Sequence, residues 1–381
     1  MYRTASVASL IIAMLLIAAC PTLLPGQPAK RLVSPEVHAD GKVTFRLAAP
    51  KADKVLLNSG EMQPVLKATS TSLTKGDDGI WTVTVGPLPP GIYDYTFNID
   101  GVSITDPSSP TVFGNRQGSR GFVEVPGPKG QPRHDEWRDV PHGTVTIHWY
   151  DSKASGTRRR VHVYRPPGYG KDVAMKYPVL YLLHGSGDND SHWMHIGQAN
   201  VIADNLIADR KAVPMLIVMP DGHVVERPAG PVDDKKRQEI RQAFEKDLLE
   251  NIVPLVEANY RVRTDASSRA IAGLSMGSAQ SLMVGLGHTD QFAWIGAFSG
   301  AISREDPVLA GLKADPAKAN ERLKLLWLAI GKEDGGVKNK QALSAALKEM
   351  GIKHEYKETD GAHRWSVWRL YLAEFLPKLF R

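Results

Sequence analysis

Between residues 34 and 125 apolar and polar side chains alternate in short stretches. Val43, Phe45 and Leu47 share one face of a strand over 42–47, and Trp81, Val83 and Val85 share one face of another. Tyr93, Tyr95, Phe97 and Ile99 form a third, aromatic-rich stripe that closes at the turn Asp100-Gly101. A period of two, broken by Gly86-Pro87 and Pro89-Pro90-Gly91, marks half-buried strands joined by tight turns and predicts a small β-sandwich over 34–125. Residues 126–143 turn polar and rich in Pro and Gly, which predicts a linker. Alternation then returns over 144–150 and 160–165, with a turn at 151–157, and predicts an antiparallel pair at the edge of a second sheet.

Past residue 170 the pattern changes. Apolar runs over 178–183, 215–220, 268–273 and 323–330 read as strands, and a helix over 239–259 turns Phe244, Leu248, Ile252, Leu255 and Val256 to one side, with a bend expected at Pro254. A terminal amphipathic helix is expected over 367–379. Strands alternating with helices predict a mostly parallel α/β sheet over 144–381.

The start of the chain differs from all of this. Arg3 precedes an apolar run over 10–19 that is short for a stable membrane span, and no comparable run follows. Its end, Ile17-Ala18-Ala19-Cys20, resembles a bacterial lipoprotein box, which implies a signal peptide over 1–19, acylation of Cys20 and a tether over 20–33. The alternatives are an ordinary secretory signal and an uncleaved anchor. No aspartate follows Cys20, so the expected location is the outer membrane or cell surface, otherwise the periplasm or the medium. The chain of 381 residues has room for two domains, and 42% hydrophobic and 23% charged residues exclude disorder and a multi-span membrane protein. One cysteine excludes an intrachain disulfide and a Cys-cluster metal site. The formal charge of +6 is mild, and Arg158-Arg159-Arg160 and Lys235-Lys236-Arg237 are too sparse for a nucleic-acid surface. Nothing in the sequence fixes an oligomeric state.

Chemistry concentrates at Gly273-Leu274-Ser275-Met276-Gly277, a G-x-S-x-G elbow between an apolar strand and a small-residue helix. Such a turn lifts Ser275 Oγ above the sheet and aims the Met276 N–H at a developing oxyanion. A serine nucleophile needs a base and an acid to orient that base. Asp334 and its neighbour Glu333, just past a buried-strand pattern, are the candidate acids, with Asp334 preferred; His363 in Asp360-Gly361-Ala362-His363 is the candidate base. The order Ser275, Asp334, His363 is that of α/β-hydrolases. A second oxyanion donor is expected from the N–H of Ser186, or of Gly187, beyond His184-Gly185, with His184 shaping that turn. His192, His195 and His223 are candidates to line the cleft but show no compact zinc spacing, so neither metal nor cofactor is expected.

The stretches Gly76-Asp77-Asp78-Gly79-Ile80-Trp81, 91–101 and Asp106-Pro107 resemble the immunoglobulin-like module that precedes some secreted esterases and is related to family 48 carbohydrate-binding modules. Over 144–381 the chain resembles the feruloyl and acetyl-xylan esterases of carbohydrate esterase family 1, esterase D-like α/β-hydrolases. Tyr181-Leu182-Leu183-His184-Gly185, Trp193, 200–207, 218–223, the elbow, Phe298-Ser299-Gly300 and 361–369 carry the resemblance. It implies a three-layer α/β-hydrolase behind an immunoglobulin-like β-sandwich, with Ser275 as nucleophile, Asp334 as acid and His363 as base. Ser278 stands where the family often has glycine. His184, Trp193 and Trp365 are candidate substrate contacts, whereas Trp368 is expected to pack. The implied activity is release of ferulic or related hydroxycinnamic acids from arabinoxylan side chains, with feruloylated or acetylated plant cell-wall polysaccharide as partner. Acetyl-xylan esterase and siderophore trilactone esterase are the alternatives, and a non-enzymatic adhesion protein would require that elbow, acid and base fail to converge.

Overall fold

The computed structural model describes residues 32–226, 230 and 233–381. The expected signal peptide and Cys20 lie outside the described residues. Ten short strands occupy the first part: β1 (Glu36–Val37), β2 (Val43–Ala48), β3 (Val55–Asn58), β4 (Ser70–Ser72), β5 (Thr74–Lys75), β6 (Ile80–Val85), β7 (Gly91–Ile99), β8 (Val102–Ile104), β9 (Val112–Asn115) and β10 (Gly118–Val125). They form two antiparallel sheets, ordered β1-β2-β6-β5 and β4-β3-β7-β10-β9, with β8 also on β7. The alternating residues of both sheets meet in one core, where the Phe45 and Tyr95 rings pack edge to face with centroids 4.7 Å apart.

The second part is one eight-stranded sheet: β11 (Thr144–Ser152), β12 (Thr157–Arg165), β13 (Val179–Leu183), β14 (Leu216–Pro220), β15 (Arg269–Leu274), β16 (Trp294–Phe298), β17 (Leu325–Gly331) and β18 (Glu355–Thr359), ordered β11-β12-β14-β13-β15-β16-β17-β18. β11 and β12 form the antiparallel edge pair, and the strands from β14 to β18 run parallel. The continuous apolar runs follow from burial on both faces. Val179, Tyr181 and Leu183 of β13 face one core, and Leu180 and Leu182 face the other beside the helices Ala199–Ala208 and Trp365–Phe375.

The helix expected over 239–259 begins earlier, at Asp234, and contains a π-helical turn, Leu248–Ile252, before Val253–Asn259. Pro254 lacks an N–H and its ring crowds the carbonyl one turn back, so the widened turn upstream takes up the misfit as a change of winding. The terminal helix starts at Trp365, two residues ahead of the expected start, and passes into a short 3-10 turn at Leu376–Lys378.

The two parts share a hydrophobic surface. Ile92 and Phe113 of the first join the core that holds Trp193, Trp365 and Trp368 of the second. Residues 126–143, read from composition as a linker, are strapped down: Asp135 bonds Arg369 at 2.6 Å, Asp204 receives the Gly143 N–H at 2.9 Å, and Asn205 donates to the carbonyls of His134 and Glu136. Proline and glycine there shape a fixed path. Glu61 completes the joint. Its carboxylate, in a turn of the first part, accepts the Trp365 N–H at 2.8 Å and so caps the terminal helix, whose own N-cap residue Arg364 makes no side-chain cap. Burial raises the Glu61 pKa, and the Arg369 guanidinium pulls against that rise.

Losing such a cap costs about 1 kcal/mol, and strands a buried N–H. Glu61→Leu is expected to lower the unfolding midpoint by about 2–4 °C in a thermal scan, and Glu61→Gln, which keeps an acceptor, to recover most of that loss; equal stability of Glu61→Leu and the wild type would contradict the capping role.

Candidate active site

β15 delivers the chain to Ser275 and the helix Met276–Gly287 leaves it. Ser275 sits at φ 53° and ψ −112°, a conformation that a side-chain-bearing residue holds only when its surroundings impose it. Its N–H is fixed on the Phe298 carbonyl of the next strand at 2.8 Å. The two elbow glycines are required by space. A Cβ on Gly273 would fall 2.6 Å from the Gly277 carbonyl, and one on Gly277 would fall 2.6 Å from the His184 carbonyl. Strand, turn and helix therefore close to a separation that only glycine allows.

Above this elbow His363 Nε2 lies 2.9 Å from Ser275 Oγ, and His363 Nδ1 lies 2.8 Å from Asp334 Oδ2. The loop after β17 carries the aspartate, and the loop after β18 carries the histidine. Of the two candidate acids only Asp334 reaches His363, since the Glu333 carboxylate receives the Gly361 N–H. Burial pushes the Asp334 pKa up, but the His363 contact and the Gly336 N–H outweigh it, and the net shift is downward. The acid is thus held ionised beside an imidazole whose side chain is 43% exposed at the cleft. Trp368 sets its ring edge to face against His363, with centroids 4.9 Å apart.

The cleft at Ser275 encloses about 460 Å³ and takes walls from both parts of the chain. The second part supplies Ser186, Ser275, His363, Trp365 and Trp368; the first supplies Glu61, Gln63, Asp94, Asn115, Gln117 and Arg120. On the far side of the elbow a more apolar cavity of about 750 Å³ runs along Met276, Ile240, Met283 and Ile302. A larger hollow of about 880 Å³, at Ala266, Ala293 and Lys324, adjoins the opposite end of β15, far along the strand from Ser275.

The Met276 N–H starts a helix and so has no acceptor within it, while Ser186 stands at the cleft mouth. The Arg116 N–H of the first part holds the Gly187 carbonyl at 2.9 Å, and Asn189 Nδ2 holds the Gly114 carbonyl at 2.9 Å, so the turn after β13 is braced from across the joint. Burial pushes the Asp188 carboxyl in that turn up to about 6, with the His184 charge opposing.

Two candidate substrate contacts are corrected. His184 is 1% exposed and its ring bridges the Gly185 carbonyl, the Gly222 N–H and Asp221, so it holds the turn and does not face the cleft. Trp193 is 1% exposed, donates to the Leu183 carbonyl and packs edge to face on Trp365, so its ring faces are consumed by the core. Trp365 does line the cleft. Of the other histidines, His192 is buried against Phe113 and Trp365, and burial pushes its pKa down to about 4. His223 lines the apolar cavity. Among the described residues no group of three or more His, Cys, Asp or Glu side chains is placed to hold a metal ion.

Lys340 lies fully buried under the elbow, 3.0 Å from the Ala297 carbonyl and 3.4 Å from Ser278 Oγ. Its sequence signal is its spacing, three and seven residues before the buried Leu343 and Leu347 of the helix Val337–Glu349, on the stripe that should be apolar. Burial pushes its ammonium down to about 7, against the pull of Asp334. Between about pH 7 and the ordinary lysine range the unfolded chain binds a proton that the folded chain lacks, so this group makes stability rise with pH. Thermal unfolding from about pH 7 to about pH 10 is expected to show the wild type gaining on Lys340→Met, and parallel curves would contradict this.

Residues 152–379 match the family model described as "Putative esterase". A xylanase/feruloyl esterase of Xylanibacter ruminicola is 33% identical over 353 residues, covering 91% of this chain and 46% of that protein; the chain spans about half the length of that relative. A ferulic acid esterase structure from Anaeromyces mucronatus, 25% identical, covers 64% of this chain and 93% of its own with a TM-score of 0.55. The enterobactin esterase of Shigella flexneri, 19% identical, shares the fold over 89% of this chain and 93% of its own with a TM-score of 0.64. The chain therefore belongs to the esterase family whose model it matches, on an α/β-hydrolase fold.

Proposed function

We propose that this esterase releases hydroxycinnamic acids, ferulic acid foremost, from arabinoxylan side chains through Ser275, His363 and Asp334. The observation that carries the mechanism is the unbroken file from Asp334 Oδ2 through both His363 nitrogens to Ser275 Oγ, at 2.8 and 2.9 Å. Support for the substrate comes from the Xylanibacter relative, whose similarity extends over nearly the whole chain. In this reading His363 Nε2 accepts the Ser275 proton as Oγ attacks the ester carbonyl, while Asp334 accepts the Nδ1–H and offsets the imidazolium charge. The N–H groups of Met276 and Ser186 hold the tetrahedral oxyanion. Collapse expels the sugar alkoxide, which takes the proton from His363. Water, deprotonated by His363, then attacks the acyl carbonyl and frees the acid and Ser275. The apolar cavity along Met276 suits an aromatic acyl group, and the polar cleft built with the first part suits a sugar.

The first part, 34–125, is assigned as the immunoglobulin-like module related to family 48 carbohydrate-binding modules, joined by 126–143 to the hydrolase over 144–381. Its two antiparallel sheets around one core support that assignment. Lipidation at Cys20 after removal of 1–19, with anchoring at the outer membrane or cell surface, completes the proposal. A second reading, a catecholate trilactone esterase, is favoured by one observation: the likeness to the enterobactin esterase extends over both parts of the chain.

Hydrolysis of methyl ferulate, feruloylated arabinoxylan oligosaccharide, acetylated xylan and a catecholate trilactone by the purified protein separates these readings. Feruloyl release is expected to dominate, and rapid trilactone cleavage without it would overturn the first reading. Ser275→Ala is expected to lower kcat/KM by about a millionfold, and Asp334→Asn by about ten-thousandfold with the fold intact. Full activity in Ser275→Ala would end the mechanism.

A further inference from the structure

We propose that the cleft between the β11–β12 hairpin and the turn at Asn115 is a subsite for the uronate side groups of the esterified polysaccharide. This inference rests on the polysaccharide reading of the substrate. The cleft encloses about 340 Å³ and is lined by Trp149, Arg116 and Arg158–Arg160, with Asn189, Asp190 and Asp221 opposite. It runs into the catalytic cleft, because Asn115 lines both and Gln117 and Asp188 continue the wall toward Ser275.

Trp149 is 62% exposed on β11, a strand that among the described residues pairs only with β12. An indole left open beside arginines is a platform for the C–H face of a pyranose ring. The arginines divide into two kinds. Arg160 forms a fork with both oxygens of Asp190 at 2.8–3.1 Å, and Arg159 is spent on Asp247 at 3.2 Å and on the carbonyls of Asp221 and His223. These two are locked into the floor, with the Arg160 guanidinium 6.0 Å from the Trp149 ring centre. Arg116 and Arg158 are held loosely. Arg116 reaches Asp221 at 3.4 Å with its side chain 45% exposed, and Arg158 reaches Asp151 at 3.3 Å with its side chain 69% exposed. Exposed pairs of that length contribute little, and the Asp221 carboxylate is already engaged by the His223 N–H and His184.

Each of the four guanidinium groups has a carboxylate partner, Asp221, Asp151, Asp247 and Asp190 in turn, so the attraction for an anion comes from the two weakly engaged arginines and not from a net charge. A carboxylate presented between Arg116 and Arg158 would gain charge-assisted hydrogen bonds that neither arginine now makes well. Neutral xylose would use only the indole and free phosphate only the arginines, whereas a uronate uses both. The hairpin thus reads the acidic decoration of the same polymer whose ester lies at Ser275.

Titration of the Ser275→Ala protein with a glucuronic-acid-bearing xylo-oligosaccharide and with its carboxyl-reduced counterpart tests this without hydrolysis. Reduction is expected to weaken Kd about tenfold or more, and Trp149→Ala and Arg158→Gln, each added to Ser275→Ala, to erase most of that difference. In the Ser275 background both variants are expected to hydrolyse methyl ferulate like the wild type and to melt like it, because both side chains are exposed. Equal affinity for acidic and reduced oligosaccharides, a preference that survives both substitutions, or no binding of either would overturn the subsite. Feruloyl hydrolysis that persists alongside any of these results leaves the proposed function standing; its absence overturns that function by itself.

Discussion

The closeness of backbone to backbone at the elbow is the constraint on which the rest depends. A serine at φ 53° and ψ −112° relaxes unless strand, turn and helix are clamped, and here the clamp is the Phe298 carbonyl on one side and the Leu183–His184 backbone on the other. Both belong to strands parallel to β15, in register with it: Leu183 pairs with Gly273 and Phe298 with Leu274. The parallel sheet therefore does more than carry loops. It brings the carboxyl ends of β13, β15, β16, β17 and β18 to one edge, where Ser275, His363 and Asp334 meet within hydrogen-bonding range and the turn at Gly185 lines the same cleft. The large apolar investment in two cores keeps that edge from spreading.

The first part of the chain enters this construction as a wall. It contributes Ile92 and Phe113 to a core of the second part, a carboxylate to the helix that begins two residues after His363, and backbone bonds to the turn after β13. Two pieces of the site, the helix that follows His363 and the turn after β13, are thus held from outside the eight-stranded sheet. The arrangement explains why a polar cleft shared between two sheets, and not a pit within one, surrounds Ser275.

Much of this was legible in the order of residues, and the exceptions have physical causes. Strands buried on both faces announced themselves as apolar runs at 178–183 and 215–220, and the elbow was explicit at 273–277. β16 and β18 gave weaker signals: β16 is five residues with a central Gly296, and β18 at the sheet edge is mostly polar, so neither stands out by periodicity. Asp334 and Glu333 are adjacent carboxylates, and only the turn after Gly331 decides which points to His363. The tryptophans illustrate the same limit. Trp193 and Trp365 both flank motif loops, yet one is sealed in the core and the other reaches the cleft, a difference of side-chain direction that spacing does not encode. Glu61 carries no local mark at all, because its partner is the backbone of Trp365, about three hundred residues on.

The central claim is that the elbow makes Ser275 the nucleophile and His363 its base. Mass-spectrometric mapping after treatment with an aryl phosphonate ester, a covalent mimic of the tetrahedral intermediate, tests it most directly. The account predicts one adduct, on Ser275, formed quickly by the wild type and far more slowly by His363→Ala. An adduct on another residue, or equal labelling with and without His363, would contradict it.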